Sequence, residues 1–160
     1  MKISENLFAG FIMLGLLLFL SFPQNSANAK DIKWVEWEEG LQEAVNEEKI
    51  LLVHIYADWC GWCKRMDANT FTDTDVIDKI SNYFVPVKIN PADDKKYQIS
   101  EQELNGQQFV SLITDNNFRG YPATTLIILN EQGTPRHTQF HSGYAEPKPF
   151  LELLEVVMDE

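Results

Sequence analysis

The sequence predicts an α/β fold in which helices flank a mixed central β-sheet. Ile50–Ile55 is a near-continuous apolar run, which is typical of a strand buried on both faces of a parallel sheet. Amphipathic helical patterns lie before and after this run, as in parallel βαβ units. Residues 124–129 are rich in β-branched side chains, and a turn and an alternating segment follow them as in an antiparallel hairpin. A parallel part joined to a hairpin makes the predicted sheet mixed.

The first half of the chain supplies the parallel part. Its predicted elements are a short β-type stretch at 34–37, an amphipathic helix at 38–49, the strand Ile50–Ile55, helices at 63–68 and 74–82, and the strand Phe84–Ile89. Proline cannot donate to a strand ladder, so Pro86 predicts an edge position or a local irregularity for the last of these strands.

The second half begins with a polar segment, residues 91–117, that is predicted to be a helical insertion. Ser100-Glu101-Gln102-Glu103 has the capping-box form that starts a helix. Apolar residues follow at helical spacing: Leu104, Phe109, Leu112 and Ile113. The remaining predicted elements are a strand at 124–129, a turn at 130–133, its hairpin partner at 136–141 and a C-terminal helix opened by Pro147.

The N-terminal residues have the pattern of a secretory signal peptide. Lys2 precedes an apolar run at 7–22, and residues 27–29 read Ala-Asn-Ala, with small residues at the positions that a signal peptidase reads. The run is shorter than the about 20 residues that a membrane span needs, although an uncleaved membrane anchor stays an open alternative. We therefore expect residues 1–29 to be a signal peptide, residues 30–160 to be one domain, and the protein to work in the periplasm.

The charge balance argues against two classes of partner. The formal net charge of the chain is −11, whereas nucleic-acid binding requires basic patches. An acidic protein is also repelled by anionic membrane surfaces. We expect no nucleic-acid partner.

Cys60 and Cys63 are the only cysteines of the chain. Two thiols at this spacing can form a structural disulfide, hold a metal or cycle between dithiol and disulfide. A structural disulfide is the weakest interpretation, because the loop it closes is too short to constrain the unfolded chain. If a helix starts at the motif, its dipole and its free N–H groups favour the thiolate of the first cysteine. Cys60 is then the attacking thiol, and Cys63 resolves the mixed disulfide.

Metal binding is the alternative from another functional class. His137 and His141 have a spacing found in zinc sites, and a thiolate pair can carry Cu(I). However, residues four apart on a strand lie about 13 Å from each other, and no methionine cluster surrounds the cysteines. We expect no metal site, and dithiol chemistry needs no cofactor.

The motif and its surroundings resemble the thioredoxin family. Residues 59–64 read Trp-Cys-Gly-Trp-Cys-Lys after a buried strand, residues 86–90 resemble the family's next strand, residues 118–122 resemble its cis-proline stretch, and Gly143-Tyr144 fits before the last helix. The similarity runs from residue 34 to the C-terminus. It is closest to exported thioredoxin-like proteins and to the periplasmic reductase domains of disulfide-interchange proteins. It implies a thioredoxin-like fold, with the helical insertion before the cis-proline.

The resemblance also implies how a client protein is held. The Tyr121–Pro122 bond would be cis and would lie beside Cys60, where members of the family pair with the client backbone. Trp59 and Trp62 would place two indoles around an exposed sulfur and form an apolar rim for docking.

Two residues beneath the motif concern proton transfer. His54 stands where thioredoxins carry a buried carboxylate, which is proposed to take the proton of the resolving thiol. Because imidazole titrates near neutrality, His54 is a candidate general base for Cys63; a hydrogen-bonded histidine of a core strand is the alternative. Lys88 matches the lysine that accompanies the family's carboxylate, and beside a histidine it would keep the imidazole neutral.

The resemblance implies a thiol-disulfide oxidoreductase that reduces disulfides of periplasmic client proteins, with electrons from a membrane-embedded donor of the disulfide-reductase type. The near-thioredoxin motif favours a reductase. Oxidase or isomerase activity stays open, because the residues between the cysteines tune the potential in a direction that the sequence does not give. Residues 30–160 leave no room for a dimerisation domain, so we expect a monomer.

Overall fold

The computed structural model of the chain describes residues 31–99 and 102–159. The predicted signal peptide at residues 1–29 lies outside the described part. The elements, in chain order, are α1 (Trp37–Glu47), β1 (Ile50–Ile55), α2 (Gly61–Asn69), a 3-10 turn (Thr70–Thr72), α3 (Thr74–Tyr83), β2 (Phe84–Ile89), β3 (Lys96–Ile99), β4 (Gln102–Asn105), α4 (Gly106–Ile113), β5 (Ala123–Leu129), β6 (Pro135–Ser142) and α5 (Pro147–Met158).

The central sheet has four strands in the order β2-β1-β5-β6. β1 pairs in parallel with β2 and antiparallel with β5, which forms a hairpin with β6. This arrangement confirms the predicted mixed sheet. β1 is central and buried from Leu51 to Ile55, as its continuous apolar run predicts.

Each face of the sheet has its own hydrophobic core. One core packs α1 and α4 against the sheet, with Val53, Phe109 and Ile127 among its members. The other lies under α2, α3 and α5 and includes Leu52 and Met66. Helices therefore cover both faces, and the strand ends where β1 meets α2 remain free for the functional site.

The outer edge of β2 explains why a proline is tolerated there. Leu52 on β1 is the register partner of Pro86, and on the other side the N–H of Val35 donates to the Pro86 carbonyl at 3.0 Å. The predicted edge position is thus confirmed. The β-type stretch predicted at 34–37 is wrong in extent: it is a single bridge between Val35 and Val87, because Trp37 already begins α1 and packs its ring in the core.

The insertion contains the predicted helix, but a β-hairpin precedes it. β3 and β4 pair antiparallel, with Tyr97 opposite Leu104, and the Tyr97 ring stacks on Phe109 at 4.4 Å between centroids. The helix start predicted at the Ser100–Glu103 pattern is wrong. Ser100 and Glu101 lie outside the described residues, and the two residues that follow them belong to β4. These residues form a strand because the alternating pattern of the hairpin buries Tyr97, and this burial outweighs the local capping pattern.

The helix of the insertion begins at Gly106, so its N-cap is Asn105, five residues after the predicted N-cap Ser100. Its capping box is formed by Asn105 and Gln108, whose side chains each accept from the other's backbone N–H. A Cβ at Gly106 would lie 2.6 Å from the Cα and carbonyl oxygen of Pro91. Glycine is required here because two backbone segments touch.

The C-terminal helix agrees with the prediction. Pro147 stands in its first turn, and Phe150, Leu154 and Val157 are its buried residues. Within residues 31–99 and 102–159, no helix combines the length and the apolar character that crossing a membrane requires.

Candidate redox site

Cys60 lies at the junction between β1 and α2. Its N–H donates to the Ala57 carbonyl at 2.9 Å, which folds the chain back at the strand end. Cys60 is the N-cap of α2, and its Sγ accepts from the N–H of Cys63 at 3.0 Å. The sulfur therefore takes the place that a Ser or Asp side chain takes in an ordinary N-cap, where backbone donors and the helix dipole stabilise negative charge.

The two cysteines are joined in a disulfide, with their Cα atoms 5.3 Å apart. Cys63 is buried, and Cys60 is only 5% exposed. The expectation of an exposed sulfur between the two indoles is therefore wrong for the oxidised protein. Ala57, Tyr56 and Tyr121 pack around the pair and cover most of its surface.

The tryptophans that flank the cysteines are the exposed part of the motif. Trp59 is 74% exposed and Trp62 is 56% exposed. The Trp59 ring touches Tyr121 edge-on at 5.4 Å between centroids. An exposed apolar rim of this kind lies next to the disulfide, as the resemblance implied.

The Tyr121–Pro122 bond is cis, as the resemblance implied. Tyr121 packs against the cysteine pair, and the Pro122 carbonyl accepts from the N–H of Gly143 at 2.8 Å. The structure thus brings this loop to the side of Cys60. This loop is distant from the cysteine motif in sequence, and the pairing of β5 with β1 brings the two together.

Trp62 belongs to a cluster that the sequence did not reveal. Its ring lies 5.4 Å from that of Tyr144, and the Arg65 guanidinium lies over both rings at 5.5 and 5.3 Å. Glu146 forms an ion pair with Arg65 at 3.6 Å, and the Asn69 amide donates to the Tyr144 hydroxyl at 2.8 Å. The three-residue spacing of Trp62 and Arg65 on one helix was the available signal.

His54 is fully buried on β1. Its ring is surrounded by the rings of Trp34, Tyr56 and Phe71, with centroids 6.0, 6.5 and 4.8 Å away. Neither ring nitrogen has a hydrogen-bond partner among the described residues. Burial and, as the smaller cause, the Lys88 ammonium together lower the pKa of His54 from 6.5 to about 3. The imidazole is therefore neutral at physiological pH.

Lys88 is the register neighbour of His54 on β2. Its ammonium donates to the Asp67 carboxylate at 2.5 Å and lies over the rings of Trp34 and Tyr56 at 4.9 and 5.4 Å. The expectation that Lys88 keeps the imidazole neutral is confirmed, although burial is the larger cause. Asp67 was not predicted; it stands four residues after Cys63 on α2, one turn further along the same helix.

The histidines of the metal alternative lie on β6. His137 is opposite Ile128, and His141 is opposite Thr124, so the two are four residues apart on one strand. Within the described residues, no group of three or more His, Cys, Asp or Glu side chains is arranged to hold a metal ion.

Comparisons with known proteins agree with this geometry. The family model for the thioredoxin-like domain matches residues 37–157. The thiol:disulfide interchange protein DsbD of Vibrio cholerae is 30% identical over 142 residues, which cover 85% of this chain and 21% of that protein. DsbD of Pasteurella multocida is 29% identical over 110 residues, covering 69% of this chain and 17% of that protein. The chain thus spans about a fifth of the length of these relatives.

Solved structures show the same fold. A thioredoxin from Thermus thermophilus matches with a TM-score of 0.63 at 18% identity, covering 80% of this chain and 88% of that one. The DsbH oxidoreductase matches with a TM-score of 0.58 at 16% identity, covering 89% and 92%. The fold and the paired cysteines, together with the thiol:disulfide interchange relatives, support an oxidoreductase. With its family model matched over most of its length, the chain belongs to the thioredoxin-like domain family.

Proposed function

We propose that this protein is an exported thiol-disulfide oxidoreductase that reduces disulfides of periplasmic client proteins. The observation that carries the proposal is the position of Cys60 as the N-cap of α2, with the Cys63 N–H aimed at its sulfur. That donor and the helix dipole favour the Cys60 thiolate over the thiol, and the thiolate is the attacking species.

The reaction passes two electrons from the dithiol to the client. The Cys60 thiolate attacks one sulfur of the client disulfide, and the other client sulfur leaves as a thiolate. Cys63 then loses its proton and attacks Cys60, which breaks the mixed disulfide and releases the second client thiolate. The product is the Cys60–Cys63 disulfide that the structure contains. A membrane-embedded reductase of the disulfide-exchange type returns the pair to the dithiol.

The client docks between the tryptophan rim and the cis-proline loop. Tyr121 packs against the cysteine pair and Trp59 packs against Tyr121, so a client segment that pairs with the backbone at Tyr121 and Pro122 brings its disulfide to Cys60. Trp62 supports this segment from the other side, where Arg65 holds its indole in place. Exposed tyrosine and tryptophan rings of this kind are enriched at binding interfaces.

His54 accepts the proton of Cys63 in the resolving step. Cys63 and Met66 are the buried residues of α2, and Met66 shares a core with Leu52, the residue two before His54 on the same face of β1. α2 starts at the carboxyl end of β1, so Cys63, which precedes Met66 by one turn, lies nearer that end of the strand. We therefore infer that Cys63 lies over His54. A neutral imidazole has one free lone pair for the proton.

Two cysteine-to-serine variants test the proposal with insulin as the disulfide substrate and dithiothreitol as the electron donor. The wild-type protein should accelerate insulin reduction. C60S should be inactive, and C63S should accumulate a stable mixed disulfide with insulin. Alkylation of Cys60 should show a pKa below the about 8.5 of a free thiol. A Cys60 pKa at or above that value would contradict the N-cap argument, and a protein that forms insulin disulfides instead of breaking them would establish the oxidase alternative.

A further inference from the structure

A row of polar side chains crosses the sheet beneath the disulfide. Lys88, His54, Thr124 and His141 are register partners on the four adjacent strands β2, β1, β5 and β6. Because register partners on neighbouring strands point to the same face, all four side chains lie on the face that α2 covers. The rung next to it is apolar at its centre, where Leu52 pairs with Leu126.

The unpaired polar atoms of the core are concentrated in this row. Within the described residues, the buried side-chain atoms without a hydrogen-bond partner are both ring nitrogens of His54, Oγ1 of Thr124 and Nε2 of His141. Other buried hydroxyls are paired: Thr70 donates to Ala145 and Thr114 donates to Val110. Each unpaired group costs about 1–3 kcal/mol, so three adjacent ones require a common explanation.

The spacing of the row suits hydrogen bonds through water. Directly opposite side chains on adjacent strands have Cβ atoms about 4.5–5.5 Å apart. The polar atoms of this row do not bond one another directly, and one water can bridge two groups at such a separation. The Thr124 hydroxyl stands midway and can donate to one neighbour while it accepts from the other. A water in this row would meet several polar partners, as buried waters do.

The two ends of the row differ. At one end, Lys88 is held by Asp67 and by two aromatic rings, and its positive charge repels a second proton on His54. At the other end, His141 stands on β6 and, like Lys88, is partly buried on an outer strand, but it presents an imidazole in place of an ammonium. A proton that enters the row at His54 therefore leaves it toward His141.

We propose that His54, Thr124 and His141, connected by bridging water, relay the proton of Cys63 to solvent during the resolving step. The inference rests on the proposed dithiol exchange, and it assigns Thr124 and His141 as relay residues of that reaction. His141 then serves proton transfer and not metal binding.

His54 accepts one proton and releases another in the same step, so the relay leaves no charge on its imidazole. The S–H bond of Cys63 breaks, its proton binds the free nitrogen of His54, and the electron pair left on sulfur attacks Cys60. His54 at the same time releases the proton of its other nitrogen to the water at Thr124, and the chain continues through His141 to solvent. The imidazole ends neutral in the opposite tautomer. When the disulfide is reduced again, a proton returns to Cys63 along the same row and restores the first tautomer.

This mechanism fits the environment of His54 better than a single acceptor does. Burial and Lys88 lower its pKa to about 3, so it holds a proton poorly as an imidazolium. An imidazole that accepts a proton at one nitrogen while it releases one from the other never becomes an imidazolium. Both nitrogens of His54 are buried and have no hydrogen-bond partner among the described residues, so each is available to a bridging water or to Cys63.

Ellman's reagent separates the two steps in a stopped-flow experiment on the reduced protein. Attack by Cys60 releases the first thionitrobenzoate, and attack by Cys63 on the mixed disulfide releases the second. T124V removes the hydroxyl at nearly constant volume, and T124S keeps it. H137L is the matched control on β6, because His137 is opposite Ile128 outside the row.

We expect T124V and H141L to slow the second phase about tenfold and to reduce its solvent deuterium isotope effect, with the first phase at the wild-type rate. T124S and H137L should retain both phases within about twofold and keep the isotope effect. A second phase in T124V at the wild-type rate, or one equally slow in T124S, would overturn the relay. Loss of the first phase in the wild-type protein would instead contradict the proposed function of Cys60.

Discussion

Replacing His54 with leucine tests whether a neutral, unpaired imidazole is buried in the core. The folded-state pKa of His54 is about 3, whereas an exposed histidine titrates at 6.5. Between these values the unfolded chain carries a proton that the folded chain excludes. The folded state therefore loses stability as the pH falls below 6.5, and the loss is complete near pH 3.

The magnitude follows from the difference between the two pKa values. Each pH unit below 6.5 costs about 1.4 kcal/mol, so about 2 kcal/mol is lost at pH 5 relative to neutral pH. H54L cannot titrate, fills a similar volume and removes two unpaired nitrogens. At neutral pH it should be as stable as the wild type or more stable.

Urea unfolding of the oxidised wild-type and H54L proteins at pH 7 and pH 5 measures this difference. Carboxylates and the other histidines contribute equally to both proteins, so their effects cancel in the comparison. The wild type should lose about 2 kcal/mol more than H54L between the two pH values. An equal loss in both proteins would refute the depressed pKa and with it the neutral imidazole on which the relay depends.

Three further predictions concern the surroundings of the site. K88M should raise the pKa of His54, since Lys88 contributes to its depression, and so should shrink the acid-linked loss of stability in the same urea measurement; an unchanged loss would mean that burial alone acts. G106A should lower the free energy of unfolding by about 1–3 kcal/mol, because its Cβ would overlap the Pro91 backbone; wild-type stability would show that this approach is not close. W62A should raise the KM for insulin about threefold to tenfold, and an unchanged KM would remove Trp62 from the docking surface.

The central sheet and the motif could be predicted because their signals are local. The apolar run of β1, the proline in β2 and the Pro147 start of α5 each depend on backbone geometry within a few residues. The Cys60 N-cap likewise follows from a strand that ends where a helix begins. The cis bond at Pro122 needed the family resemblance, because most X–Pro bonds in folded proteins are trans.

The parts that were missed depend on contacts between distant segments. The hairpin before α4 exists because Tyr97 stacks on Phe109, and a local capping pattern gave no sign of that pairing. The need for glycine at position 106 comes from the backbone of Pro91, which is distant in sequence and gives no local signal. The polar row became visible only when register placed Thr124 between His54 and His141.

The reduction potential of the Cys60–Cys63 pair tests the central claim most directly. Equilibration with glutathione buffers, followed by alkylation of the free thiols, gives this value for the purified protein. A reductase should have a potential near the about −270 mV of thioredoxin. A potential near the about −120 mV of strongly oxidising periplasmic enzymes would contradict the assignment of this dithiol as a donor of electrons to client disulfides.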